Sequence, residues 1–202
     1  KEHPYDALID HYEAGMTVKQ LDVLFEDVKA NLKPLLEYIR NCKQHDDSFL
    51  NQKFPSKTQI ELSEELLKSF GYDFKAGRQD ISSHPFCTNF SSEDVRITTR
   101  IDENDLANCI WSTIHECGHA LYEQGLPADG YGMPSGSAIS LGIHESQSRF
   151  WENCIARSES FVKGYLQLFK EKFPQALQSV TEEQFYKGIN VVKPSFIRTE
   201  AD

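Results

Sequence analysis

Ile114-His115-Glu116-Cys117-Gly118-His119-Ala120-Leu121-Tyr122 is the stretch on which the reading of this chain turns. It lies inside a helical pattern that runs from Asn104 to Gln124 and stops at Gly125. On a helix, positions i and i+4 share one face about a turn apart. His115 and His119 therefore both reach a single Zn²⁺ at ~2.0–2.1 Å. Glu116 is rotated from His115 by roughly 100°, so it flanks the site without ligating and suits a general base. The competing reading is an amphipathic helix with two exposed histidines, whose buried side is Ile114, Cys117, Ala120 and Leu121. Gly118 speaks against it. Glycine costs a helix interior about 1 kcal/mol, and a close backbone approach at a site is a reason to accept that.

A catalytic zinc needs a third protein ligand and an open fourth position. Downstream, His144-Glu-Ser-Gln-Ser-Arg149 follows on a second expected helix. Glu145 completes a His₂Glu set there, with His144 beside the ligands or facing substrate. Between the helices lies Leu126-Pro-Ala-Asp-Gly-Tyr-Gly-Met-Pro-Ser-Gly-Ser137, a Gly/Pro-rich loop that is either a flap or a connector.

Working outward, the chain reads as mostly helix. Leu21, Leu24, Phe25, Val28, Leu32, Leu35, Leu36 and Ile39 keep a 3.6-residue period. Thr17 with Gln20 has the spacing of a capping box, and Pro34 is expected to kink or divide this helix. A further helix is predicted over 56–70 with Gly71 as its stop, and another over about 140–158. Pro174 and Pro194 punctuate two more. Asp94-Val-Arg-Ile-Thr-Thr-Arg100 alternates in the manner of a strand with Val95, Ile97 and Thr99 inward. A short partner is expected near Asp80–Ser83. Trp111 and Trp151 fall at helical core positions.

The 202 residues, 39% of them hydrophobic, can bury a core, and 1–202 is expected to be one region cut from something longer. Against 21 Lys and Arg stand 31 Asp and Glu, a net charge of −10 that repels phosphate backbones and anionic lipid. Nucleic-acid and membrane partners are therefore not expected. Five cysteines without a Cys-x-x-Cys predict free, mostly buried thiols in a reducing compartment, the cytoplasm.

Five separated motifs together resemble the Taq-type metallocarboxypeptidase family: His84-Pro-Phe86, Asp94–Arg100, His115–Gly125, His144–Arg149 and Ile197-Arg-Thr-Glu-Ala-Asp202. The resemblance implies a mainly α, groove-containing catalytic region with a small antiparallel β-sheet along the groove. It implies a metal-dependent carboxypeptidase that takes single residues from peptides with a free C-terminus, with broad side-chain tolerance. Carried over, His115, His119 and Glu145 hold Zn²⁺, with Co²⁺ also accepted, and Glu116 is the catalytic base. It further implies a longer protein, commonly a homodimer, of which this central piece alone binds metal and turns over poorly.

An α-carboxylate is recognised by a guanidinium fork. Arg198 is the first candidate for that role, ahead of Arg96, Arg100 and Arg149, whose ordinary role is structural salt bridging. His84 shapes the closed end of the groove or simply braces a Pro-fixed turn. The strand 94–100 is expected to pair with an extended peptide. Support for the ligating histidines falls to Glu123, Glu152 or Asp202. The alternatives are an aminopeptidase or endopeptidase with the same metal chemistry, and an inactive helical piece with a structural metal. An intact Glu116 weighs against the last, since a structural site needs no base.

Overall fold

The computed structural model describes residues 2–193. These fall into two compact units: the chain up to Gln44 with Ile139–Ile143, and His45–Ala138 with the chain from His144 onward.

The first unit contains α1 (Asp6–Tyr12) and α2 (Val18–Asn41). Thr17 caps α2 by accepting from the Gln20 N–H. The Gln20 side chain meets the Thr17 hydroxyl, so this is a simple cap rather than the expected reciprocal box. Helix α2 runs undivided through Pro34. None of its residues is buried, and Leu24, Phe25, Val28, Leu32 and Leu35 are exposed in spite of their period.

The second unit is built around α4 (Leu106–Gln124), capped by Asp105 accepting from the Asn108 N–H. One side of α4 joins the main core through Cys109, Ile110 and Ile114. These pack with Leu62 and Leu66 of α3 (Ser56–Phe70), and with Phe161, Leu166 and Phe169 of α6 (Glu159–Lys172). Each such side chain fully buried contributes about 1.5–3 kcal/mol. Short α7 (Pro174–Leu177) and α8 (Glu182–Ile189) close this core with Leu177 and Phe185. A full capping box that the sequence reading passed over, Thr181 with Gln184, starts α8. Helix α3 has the expected bounds, and Gly71 adopts φ 97°, a left-handed stop that favours glycine.

The other side of α4 packs Cys117 and Ala120 on a three-stranded sheet through Val95 and Ile97. Its strands are β1 (Gly77–Ile81), β2 (Cys87–Ser91) and β3 (Asp94–Thr99), in the order β1-β3-β2. The expected antiparallel sheet is corrected to a mixed one: β1 pairs parallel with β3 from Gly77↔Val95, and β2 antiparallel from Cys87↔Ile97. Strand β3 is therefore central and has no open edge, so the expected pairing of a peptide with 94–100 is not available. The reason is β2, whose Thr, Asn and Ser hide it from hydrophobic patterning. Thr98 is also buried rather than outward. Its hydroxyl is held by Ser82 Oγ at 2.6 Å and accepts from the Phe86 N–H at 2.9 Å.

Helix α5 (Leu141–Arg149) does not continue regularly to 158 but passes into a π-helical turn, Phe150–Ile155. The thiols are all free, but only Cys109 and Cys117 are buried; Cys87 is half-buried and Cys42 and Cys154 are exposed. No helix among the described residues is long and apolar enough to cross a membrane.

Glu103 ties α3 down at its start. Its carboxylate pairs with Lys53 and accepts from the Ser56 N–H at 3.0 Å and from Ser56 Oγ at 2.8 Å. These partners, Lys53 first, hold its pKa down at about 2. A depressed folded pKa stabilises above the ordinary carboxylate range and is lost as pH falls through it toward 2. The urea midpoint of Glu103→Gln should therefore lie below wild type at pH 7, with the gap closing by pH 2. An equal gap at both pH values would remove this account.

Candidate metal centre

His115 and His119 project from one face of α4, and Glu145 approaches from α5. Glu145 Oε2 lies 3.6 Å from His115 Nε2 and 3.3 Å from His119 Nε2. One ligand atom from each lies within 4.8 Å of the others. A tetrahedral ion with bonds near 2.1 Å sets donors about 3.4 Å apart, so the set fits a divalent cation. His115 Nε2 supplies an independent sign. It is buried and has no hydrogen-bond partner among the described residues, a state that costs about 1–3 kcal/mol unless something accepts the lone pair. With His115 only 8% exposed and Glu116 3%, the reading of this face as two solvent-exposed histidines is set aside.

Gly118 explains how the helices come so close. A Cβ there would stand 2.6 Å from Ser148 Cα and 2.7 Å from the Gln147 carbonyl oxygen, both backbone atoms of α5. The glycine between the histidines is what lets Glu145 reach them.

Each group of the candidate donor set is backed by protein. His115 Nδ1 lies 2.9 Å from Glu152 Oε2, which also accepts from Arg149 at 3.1 Å. Glu152 sits in the π turn, and irregular turns of this kind often occur at functional sites. Burial acts to raise its pKa, yet His115, Arg149 and Arg157 hold it below the usual carboxylate range. Arg149 Nε donates to Glu145 Oε1 at 2.9 Å, leaving Oε2 toward the imidazoles. Burial likewise acts to raise Glu145, but His115, Arg149 and Ser148 bring it below its ordinary value. The His119 pKa falls to about 4, first through burial and then through His115 and His144, so its ring is neutral at pH 7. An ionised carboxylate and a neutral imidazole are the forms that ligate.

Glu116 stands beside β2. Burial, followed by the charges of Glu116 and Glu123, pushes the Cys87 thiol up to about 12. His144 has both ring nitrogens engaged by protein, Nδ1 with His119 Nδ1 at 2.6 Å and Nε2 with Glu123 Oε1 at 2.7 Å. A cavity of about 260 Å³ opens beside Glu123, between β2 and the 127–138 segment. That segment carries short helical turns of its own. It makes two 3₁₀ turns, Ala128–Gly130 and Pro134–Gly136, pressed together at Gly130 and Gly136.

The remaining sequence candidates stand differently. Arg96 is gripped by Asp94 at 2.7 and 2.8 Å and lies over the Phe90 ring. His84 sits in the β1–β2 loop, its carbonyl accepting from Ser82 Oγ. Trp111 is buried and Trp151 packs on the same core. Arg198 and Asp202 lie outside the described residues. Sequence reasoning gave no sign of Asn89, which donates to Glu123 Oε2 at 2.9 Å. It also could not tell which candidate carboxylate backs which histidine.

Two histidines one turn apart, joined by a carboxylate from a second helix beside a small sheet, form the donor set of helical metallopeptidases. The sequence profile of the carboxypeptidase Taq (M32) metallopeptidase family matches residues 1–202, and the chain belongs to that family. It is 47% identical over 199 residues to thermostable carboxypeptidase 1 of Thermus thermophilus, covering 98% of this chain and 39% of that protein. It is 45% identical over 203 residues to carboxypeptidase 1 of Bacillus subtilis, covering 100% of this chain and 40% of the relative. The crystal structure of the M32 carboxypeptidase from Deinococcus radiodurans superposes with a TM-score of 0.94 at 42% identity, covering 100% of this chain and 41% of that one. The chain thus spans about two fifths of the length of the relatives it matches.

Proposed function

We propose that this chain carries the catalytic centre of a metal-dependent carboxypeptidase. His115, His119 and Glu145 hold the cation, Zn²⁺ or Co²⁺, and Glu116 is the general base. The observation that carries this is the convergence of three donor atoms, one of them the buried His115 Nε2 that has no hydrogen-bond partner among the described residues, in a member of a metallocarboxypeptidase family. When bound, the cation supplies Lewis acidity, polarising the scissile carbonyl and acidifying water. Glu116 takes the proton from the attacking water and passes it to the leaving amine nitrogen. Arg149, by occupying Glu145 Oε1, keeps that carboxylate turned toward the imidazoles.

Substrates are peptides with a free C-terminus and varied side chains, whose carboxylate is taken by Arg198, with Arg96 and His84 helping to line the groove. The free cysteines support a cytoplasmic setting, and the full protein acts as a homodimer. The full-length, metal-loaded protein should cleave an N-blocked peptide and spare its C-amidated twin. Equal cleavage of both would remove the carboxypeptidase reading.

A further inference from the structure

We propose that His144, Glu123 and Asn89 form a positioning relay that fixes the tautomer of His119 and ties its helix to strand β2. This rests on the reading of His119 as a ligand.

The starting observation is a nitrogen-to-nitrogen contact, His119 Nδ1 to His144 Nδ1 at 2.6 Å. Such a pair is a hydrogen bond only when one ring donates and the other accepts. The far side of His144 decides which. Its Nε2 lies 2.7 Å from Glu123 Oε1, and a carboxylate has no proton to give. With the His144 ring in its neutral form, Nε2 donates, Nδ1 accepts, and His119 Nδ1 carries the proton between them. His119 Nε2 is left with its lone pair, and that is the nitrogen 3.3 Å from Glu145 Oε2. Were an amide to donate at Oε1's position, the sequence would reverse and protonate the nitrogen needed for the cation.

Glu123 is well placed to impose this order. It is 6% exposed, and Asn89 of β2 donates to its second oxygen at 2.9 Å. The His144 ring is held between His119, at 4.6 Å between centroids, and the edge of Tyr122, at 5.1 Å. The two histidines are thus backed unequally. His115 meets its carboxylate directly, whereas His119 meets one through a second imidazole and, beyond it, the sheet.

The test labels the histidines of the full-length chain with ¹⁵N and reads long-range proton–nitrogen correlations without metal at neutral pH. Wild type is expected to show His119 protonated at Nδ1 and His144 at Nε2. Glu123→Gln is expected to move His119 toward the Nε2-protonated form. It should also weaken Zn²⁺, measured against a competing chelator, by about 10–100-fold with circular dichroism unchanged. A second pair guards against misfolding: His144→Gln keeps an acceptor for His119 Nδ1 and should hold Zn²⁺ within a few-fold of wild type, whereas His144→Leu should lose about 10–100-fold. Unchanged tautomers in Glu123→Gln, or equal affinities for the two His144 variants, would overturn the relay. Wild type taking up no Zn²⁺ at all would remove the parent reading and the relay with it, a result distinct from either.

Discussion

Gly118→Ala should empty the cation site while leaving both helices formed. Alanine favours a helix interior over glycine by about 1 kcal/mol, so α4 itself would be strengthened. Between helices the balance is opposite. The new methyl would stand 2.6 Å from Ser148 Cα, against a relaxed carbon–carbon contact of about 3.5 Å, so α5 must retreat by roughly 0.9 Å. No side-chain rotation relieves this, because the three atoms nearest to it are all backbone. Metal–ligand distances tolerate about ±0.2 Å, so Glu145 could no longer share one cation with the two imidazoles. Overpacking of this kind costs about 1–3 kcal/mol of stability, but the larger effect is on the site. Zn²⁺ affinity measured by chelator competition should fall by more than about 100-fold, exceeding the loss from a single supporting contact. Wild-type affinity would show that the helices part without disturbing the donors, and the account of this glycine would fail.

Glu116→Gln should do the converse, keeping the cation and losing turnover. The amide matches the carboxylate in size, so the packing of a residue only 3% exposed is preserved, and none of the three donors is touched. An amide cannot accept the proton of the attacking water nor return it to the amine. General acid–base contributions of this sort amount to about 10²–10⁴-fold, and here one group serves both halves of the transfer. A fall in kcat of about 10³-fold or more, with Zn²⁺ affinity within a few-fold of wild type, is the expected result. Near-normal turnover would assign the base elsewhere.

What the sequence disclosed follows from how local each signal is. Helix α3 and its Gly71 stop, and the shared face of His115 and His119, depend on residues within one or two turns of one another. Glu145, separated from His119 by 25 residues, is legible only because it stands in a second compact motif. Strand β2 escaped because Cys87-Thr-Asn-Phe-Ser91 gains its pairing from β3 rather than from its own pattern, and missing it made β3 look like a free edge. The apolar period of α2 marks a helix, but a period reports a face and not what covers it, and here that face is exposed. Glu123 and Glu152 were both in view as supports. Which of them serves which histidine is a fact of packing between elements, invisible to spacing.

The π turn at Phe150–Ile155 restricts how this segment can vary in length. Such a turn holds one residue more than the regular turn it replaces. Deleting a single residue there would repair the backbone ladder and swing everything beyond the deletion by about 100° around the axis. Loss of Phe150 or Trp151 would turn Glu152 away from His115 Nδ1, and loss of Asn153, Cys154 or Ile155 would turn Arg157 away from Glu152. The surplus residue is what aims the carboxylate, so a shorter and more orderly helix would be the poorer one.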